Sequence, residues 1–271
     1  MNLDSLRPGG VALVGVPLDE NSSLFRGPAQ APKRIREALH SGSMNWCAES
    51  GLELGGHPGW SDAGDLELTR GAGAIAEIEA GIASILARDG RSLSLGGDHS
   101  VTYPIVRAYG RKYPKLNLLH FDAHPDLYDD FEGNRFSHAS PFARIMEEGA
   151  AARLVQVGIR TLNAHQKQQA ERFGVEIVQM SDWTPGRRFR FDGPVYVTFD
   201  IDALDPACAP GVSHHEPGGL TVRDVLGVIQ SLEGPIVGAD IVEYNPLRDV
   251  VDMTAAVAAK LTKELLAAML R

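Results

Sequence analysis

Two apolar runs that each finish in evenly spaced acidic residues constrain this chain more than anything else in it. The first is Leu116-Asn-Leu-Leu-His-Phe-Asp-Ala-His-Pro-Asp126. It opens with the apolar character of a strand buried on both faces of a parallel sheet. It ends in Asp122, His124 and Asp126, spaced i, i+2, i+4. In extended backbone that spacing puts all three side chains on one face and turns Phe121 and Ala123 to the other. Three such groups leaving a buried strand end repel and desolvate one another unless a cation joins them. Pro125 has no N–H to give to a ladder, so regular pairing is expected to fail there. A polar loop after a core strand is the plainer alternative, and this stretch alone leaves it open.

The second run, Pro194-Val-Tyr-Val-Thr-Phe-Asp-Ile-Asp202, repeats the arrangement with Asp200 and Asp202, followed by Leu204-Asp205-Pro206. A third stretch, Leu93-Ser-Leu-Gly-Gly-Asp-His-Ser100, is a short strand, a glycine turn and His99. Three strand ends therefore carry six candidate metal ligands: His99, Asp122, His124, Asp126, Asp200 and Asp202. Carboxylate with imidazole and no thiolate suits hard or borderline ions and disfavours structural zinc. Four carboxylates match the charge of two divalent ions, and such a pair holds and acidifies one water near neutral pH. Apolar strands alternate with helical segments along the whole chain, which predicts a mostly parallel sheet between helix layers. Ligands beyond the carboxyl ends of strands fit that class of fold.

At these residues a resemblance enters. Gly96-Gly-Asp-His99, Phe121-Asp-Ala-His-Pro-Asp126 and Phe199-Asp-Ile-Asp-Ala-Leu-Asp-Pro206 resemble the three signatures of the ureohydrolases, the arginases, agmatinases and their relatives. The likeness runs from about Val11 to the C-terminus. The stretches Asp129 to Ile145 and Ala209 to Asp224 look most like plant-type arginases. The resemblance implies a three-layer α/β/α fold around about eight strands, two Mn²⁺ per subunit, and assembly as a homo-oligomeric trimer or hexamer. It implies hydrolysis of L-arginine to urea and L-ornithine. The rivals are agmatine or another guanidino compound as substrate, a one-zinc deacetylase of similar architecture, and a catalytically silent metal-binding subunit.

It also implies roles. Asp122 and Asp200 would bridge the ions, with His99 and Asp126 completing one and His124 and Asp202 the other. Asp126 would pass a proton to the leaving amine. His138 matches a histidine that shuttles protons, which suits a group titrating near neutrality. Glu243, at the end of the last strand, matches the acidic residue that pairs with guanidinium, side by side with two N–H groups. Asn134 and Ser137 are expected at the substrate's carboxylate or amine, with loop capping as the alternative. Asn163 falls where animal arginases place an acidic residue near the α-amino group, so a neutral amide weakens that contact. His214 and Glu216 are expected on the pocket wall, with a packing role equally open for His214.

The 271 residues read as one domain, 1–271, without internal repeats or low-complexity linkers. A net charge of −9 argues against a nucleic-acid surface and favours a small cationic guanidino ligand. No apolar run approaches the ~20 residues of a membrane helix, so no membrane is expected. Two cysteines, Cys47 and Cys208, do not suggest a disulfide framework. With no signal-like or transit-like start, the cytoplasm is the expected location. Asp19 to Gln30 reads as a polar loop with a solvated Arg26. Asp98 reads either as a partner orienting His99 or as a cap of the next helix. Ser41 to Asp65 reads as a wrapped connection whose Asp62-Ala-Gly-Asp65 is turn chemistry.

Overall fold

The strand residues alternate between two separate apolar layers. Val11 and Leu13 pack on one side of the first strand while Ala12, Val14 and Val16 pack on the other, as a pleat buried on both faces requires. The computed structural model describes residues 1–71 and 73–271. Its strands are β1 (Val11–Val16), β2 (Trp60–Asp65), β3 (Arg91–Gly96), β4 (Asn117–Phe121), β5 (Arg153–Ile159), β6 (Glu176–Gln179), β7 (Val195–Asp200) and β8 (Ile236–Val242). They form one eight-stranded sheet in the order β2-β1-β3-β8-β7-β4-β5-β6, and every pairing is parallel.

Helices α1 (Ala31–Leu39), α6 (Val222–Ser231) and α7 (Met253–Met269) cover one face. Helices α2 (Gly73–Ala87), α3 (Thr102–Lys112) and α4 (Pro141–Glu147) cover the other, with α5 (Ala164–Phe173) beside α4. The expected three-layer α/β/α architecture is therefore what the chain adopts. Helix ends follow local chemistry. Thr221 and Asp224 close a reciprocal capping box on α6, and Gly174 ends α5 in the left-handed conformation at φ 65°. Among the described residues no helix is long and apolar enough to cross a membrane.

Two expectations are corrected here. Asp62 to Asp65 is not a free turn: it lies in β2 at the sheet edge, where Arg36 pairs with Asp62 at 2.8 Å and with Asp65 at 2.5 Å. And β4 ends at Phe121, so Asp122, His124 and Asp126 do not share a face by strand alternation. Asp126 even sits at φ 49°, far from extended backbone.

The order of the central strands explains why the site forms where it does. β3, β8, β7 and β4 are consecutive neighbours. The candidate residues follow those four strands in turn: His99, Glu243, Asp200 with Asp202, then Asp122 with His124 and Asp126. Phe121 is registered against Phe199, which sets Asp122 beside Asp200 at the same height.

Candidate metal centre and active site

The first group of ligand-type atoms gathers on His99. Its Nδ1 lies 3.1 Å from an oxygen of each of Asp122, Asp126 and Asp200. That nitrogen is buried and makes no aligned hydrogen bond. Its other nitrogen, Nε2, is 3.1 Å from Thr198 Oγ1, the arrangement that leaves Nδ1 free as a ligand. The second group gathers on His124, whose Nδ1 is 3.3 Å from Asp122 Oδ1 and 3.0 Å from Asp202 Oδ2. Asp122 belongs to both groups, Oδ2 facing His99 and Oδ1 facing His124.

These residues fit bound metal. Three carboxylate oxygens close around one unpartnered ring nitrogen in a place buried from water, a costly arrangement unless a cation sits among them. All donors are carboxylate oxygen or imidazole nitrogen, which suits hard or borderline divalent ions. The electrostatics point the same way. Burial, then the charges of Asp202 and Asp122, push the Asp200 carboxyl well above its ordinary range. Burial and Asp122 push Asp126 up to about 6. Burial opposes a charge on His124, yet Asp202 and Asp122 carry it up to about 12. Four acids so close cannot all ionise on their own.

Beside this cluster, His138 Nδ1 is 2.8 Å from Glu243 Oε1. The same oxygen accepts the backbone N–H of His99 at 2.8 Å. Burial works against a charged His138, but Glu243, Asp126 and Asp98 raise it to about 9. Burial likewise works against the Glu243 carboxylate, and His138 with the His99 N–H holds it below its ordinary value. Glu243 and Asp126 are both non-glycine residues in the left-handed region, at φ 62° and 49°, a conformation that costs ~1–3 kcal/mol and persists only where neighbours enforce it. Here Glu243 N donates to Gly97 O at 2.8 Å, and Asp126 O accepts from Phe142 N at 3.2 Å.

The loop after β1 is part of the site rather than a solvated connection. Asp98 does not touch the His99 ring. It accepts from Ser100 N at 3.1 Å as a cap and from Asn21 N at 2.9 Å. Asn21 in turn accepts the His138 N–H at 3.2 Å. Ser23 Oγ is 2.8 Å from His138 Nε2. Arg26 is exposed and pairs with Asp19 of its own loop.

A cleft opens over the cluster, walled in part by Ser23, Tyr128, Gln166, His214 and Glu243. His214 stands there, its ring 5.3 Å from that of His138. Four other expected substrate contacts lie elsewhere. Asn163 caps α5, accepting from Gln166 N at 2.9 Å, and its amide donates to Tyr128 Oη at 2.6 Å. Asn134 donates to Asn21 Oδ1 at 3.1 Å and holds the loop. Ser137 is buried and caps the turn at Ala139 N, 3.3 Å away. Glu216 is not among the cleft residues; its carbonyl accepts from Arg160 at 2.6 Å. Asn163, Asn134 and Ser137 are short polar side chains, for which local hydrogen bonds compete well with a ligand.

Sequence reasoning passed over His120, Gln156 and Ser23. His120 is fully buried with Nε2 2.8 Å from Asp122 Oδ2, and Gln156 lies behind it. An imidazole inside an otherwise apolar run was the available signal, since a buried polar group needs a partner.

The Arginase family profile matches residues 9–268. A relative named "Arginase 1, mitochondrial" from Arabidopsis thaliana is 49% identical over 279 residues, covering 94% of this chain and 80% of that protein. An agmatinase from Bacillus cereus is 34% identical over 270 residues, covering 97% and 92%. Among solved structures, an arginase from Medicago truncatula superposes with a TM-score of 0.89 at 45% identity, covering 96% of this chain and 87% of that one. The cytoplasmic expectation does not stand, because several plant relatives of high identity are named mitochondrial.

Proposed function

The chain belongs to the arginase family, and on that premise we infer that it is an arginase-type ureohydrolase. It is a metal-dependent hydrolase that splits the guanidinium group of L-arginine, giving urea and L-ornithine. Named arginases near 48% identity carry this reading over agmatinase, a relative at 34%. The observation in the site that supports it best is the pair of imidazole-centred carboxylate groups sharing Asp122, with Glu243 lining the same cleft.

The finer reading is two Mn²⁺ per subunit, held by His99, Asp122, His124, Asp126, Asp200 and Asp202. Two such ions, when bound, supply a water acidic enough to attack carbon at neutral pH. The remaining work belongs to the chain's own groups. Glu243 accepts the N–H of the planar guanidinium on its remaining oxygen and fixes its carbon over the cluster. Water adds to that carbon, and Asp126 takes the proton released and hands it to the departing amine as the C–N bond breaks. His138, buried against Glu243 and open to the cleft through Ser23, exchanges protons with solvent. His214 walls the substrate side. The net charge of −9 favours approach of a cation. Assembly as a homo-oligomeric trimer or hexamer belongs to the same reading.

Purified protein is expected to release urea from arginine faster than from agmatine or guanidinobutyrate. Dialysis against a chelator should abolish that release, and added Mn²⁺ should restore it. Activity that persists after complete metal removal would contradict the metal-dependent reading, and a preference for agmatine would move the chain to the agmatinase side of the family.

A further inference from the structure

His120 and Gln156 face each other across β4 and β5, in direct register and fully buried. Gln156 Nε2 donates to the Pro125 carbonyl at 2.6 Å and lies 3.1 Å from His120 Nδ1. A carbonyl oxygen only accepts, so the amide nitrogen must be the atom turned toward it. That same nitrogen is the one facing His120, again as donor. Gln156 Oε1 is left buried without a partner. Flipping the amide would set its oxygen against the Pro125 carbonyl, which is worse than leaving it unpaired. A ring nitrogen that accepts carries no proton, so the His120 proton resides on Nε2, 2.8 Å from Asp122 Oδ2.

We infer that Gln156 and His120 are positioning residues, a two-step relay that aims an N–H at the Asp122 oxygen facing His99 and thereby sets how tightly Asp122 holds its metal. The inference rests on Asp122 being a ligand, as in the functional reading above. His120, His99 and Asp122 lie close enough to form a metal-holding trio, but both nitrogens of His120 are already engaged, by Gln156 and by Asp122. His120 therefore acts through Asp122 and is not itself a ligand. The donor orients the carboxylate and tempers its charge, the usual work of a group behind a metal ligand.

The test uses the full chain, Mn²⁺ as probe, and four proteins: unaltered, His120→Gln, His120→Leu and Gln156→Glu. Mn²⁺ affinity is read by competition with a chelator, and melting temperature is read with and without Mn²⁺. His120→Gln keeps an N–H at the end of the side chain and should hold Mn²⁺ within a few-fold of the unaltered protein. His120→Leu removes the donor, and Gln156→Glu replaces the amide nitrogen with oxygen; each should weaken Mn²⁺ binding ~10–100-fold. In both, the rise in melting temperature on adding Mn²⁺ should shrink, whatever the lost buried hydrogen bonds do to the metal-free value. If Gln156→Glu binds Mn²⁺ like the unaltered protein, the relay is wrong. It is equally wrong if the variants melt lower without metal but gain the full Mn²⁺ increment, or if His120→Gln loses as much affinity as His120→Leu. Should His120→Leu not fold, Gln156→Glu carries the same comparison. Failure of the unaltered protein to bind Mn²⁺ would instead overturn the metal reading of the site.

Discussion

Before any substrate arrives, Glu243 already has two partners on one oxygen, the His138 ring and the His99 N–H. Its second oxygen is the one left to meet a guanidinium. In the proposed reading, substrate binding and proton exchange share one carboxylate, and the two jobs are separable by substitution. Glu243→Gln keeps the shape but loses the charge that holds the cation. It should lower kcat/KM for arginine by ~10–100-fold, the worth of one hydrogen bond to a charged group at ~1.5–3 kcal/mol. His138→Asn leaves that carboxylate in place and removes the titrating ring. It should lower kcat by at least ~100-fold with KM within a few-fold. Steady-state urea release on both variants tests this; equal effects on kcat and KM in the two would show that His138 serves only to hold Glu243.

At the scale of elements, the entry to α7 shows what keeps a strand-end loop in shape. Asp249 accepts the N–H groups of Thr254 at 2.9 Å and Ala255 at 3.0 Å, and the Tyr244 hydroxyl at 2.9 Å. It thus satisfies two orphan donors of the helix and ties them to the residue after Glu243. Burial works to raise its carboxyl, but those donors hold it below its ordinary value. A depressed acid stabilises the fold above its unfolded pKa of ~3.9 and loses that contribution as pH falls through the folded value. Asp249→Asn should cost ~1–2 kcal/mol at pH 7 in urea denaturation, and the gap to the unaltered protein should close only below ~pH 4. A gap that stays constant with pH would mean that charge is not what matters there. The sequence was readable wherever one element obeys one rule. β1, β5 and β8 end where their apolar periods end. It was unreadable where distant pieces meet. Nothing in Asn21-Ser22-Ser23 says that Asp98 and His138 hold it, and no local pattern foretells Asp126 at φ 49°. The D-x-H-x-D spacing grouped residues that the fold does bring close to one another, but for a reason the fold does not use, since they converge through a turn and not along a strand.

Across the whole molecule, four neighbouring strands deliver ligand-type groups, most of them acidic, to one buried place, so folding itself concentrates negative charge. Without metal that concentration must be relieved by protons. Burial with neighbouring charge holds Asp126 up at about 6 and Asp200 well above its ordinary range. An acid with a raised folded pKa binds more protons in the native state than in the unfolded one. Between ~pH 4 and the folded values, stability of the metal-free protein therefore falls as pH rises. Divalent ions reverse the sign, because they need the same carboxylates deprotonated and bind better as protons leave. Ligand that binds only the folded state adds stability as RT ln(1 + [L]/Kd). The expected outcome is a pair of diverging curves. From pH 5 to pH 7 the metal-free protein should melt at progressively lower temperature, while the increment from a fixed Mn²⁺ concentration grows. Asp126→Asn, which cannot ionise, should flatten the metal-free curve and shrink the increment together. Parallel curves, with and without Mn²⁺, would mean that the strand-end carboxylates do not compete for protons and metal at all, and the case for a charge-driven metal centre would go with them.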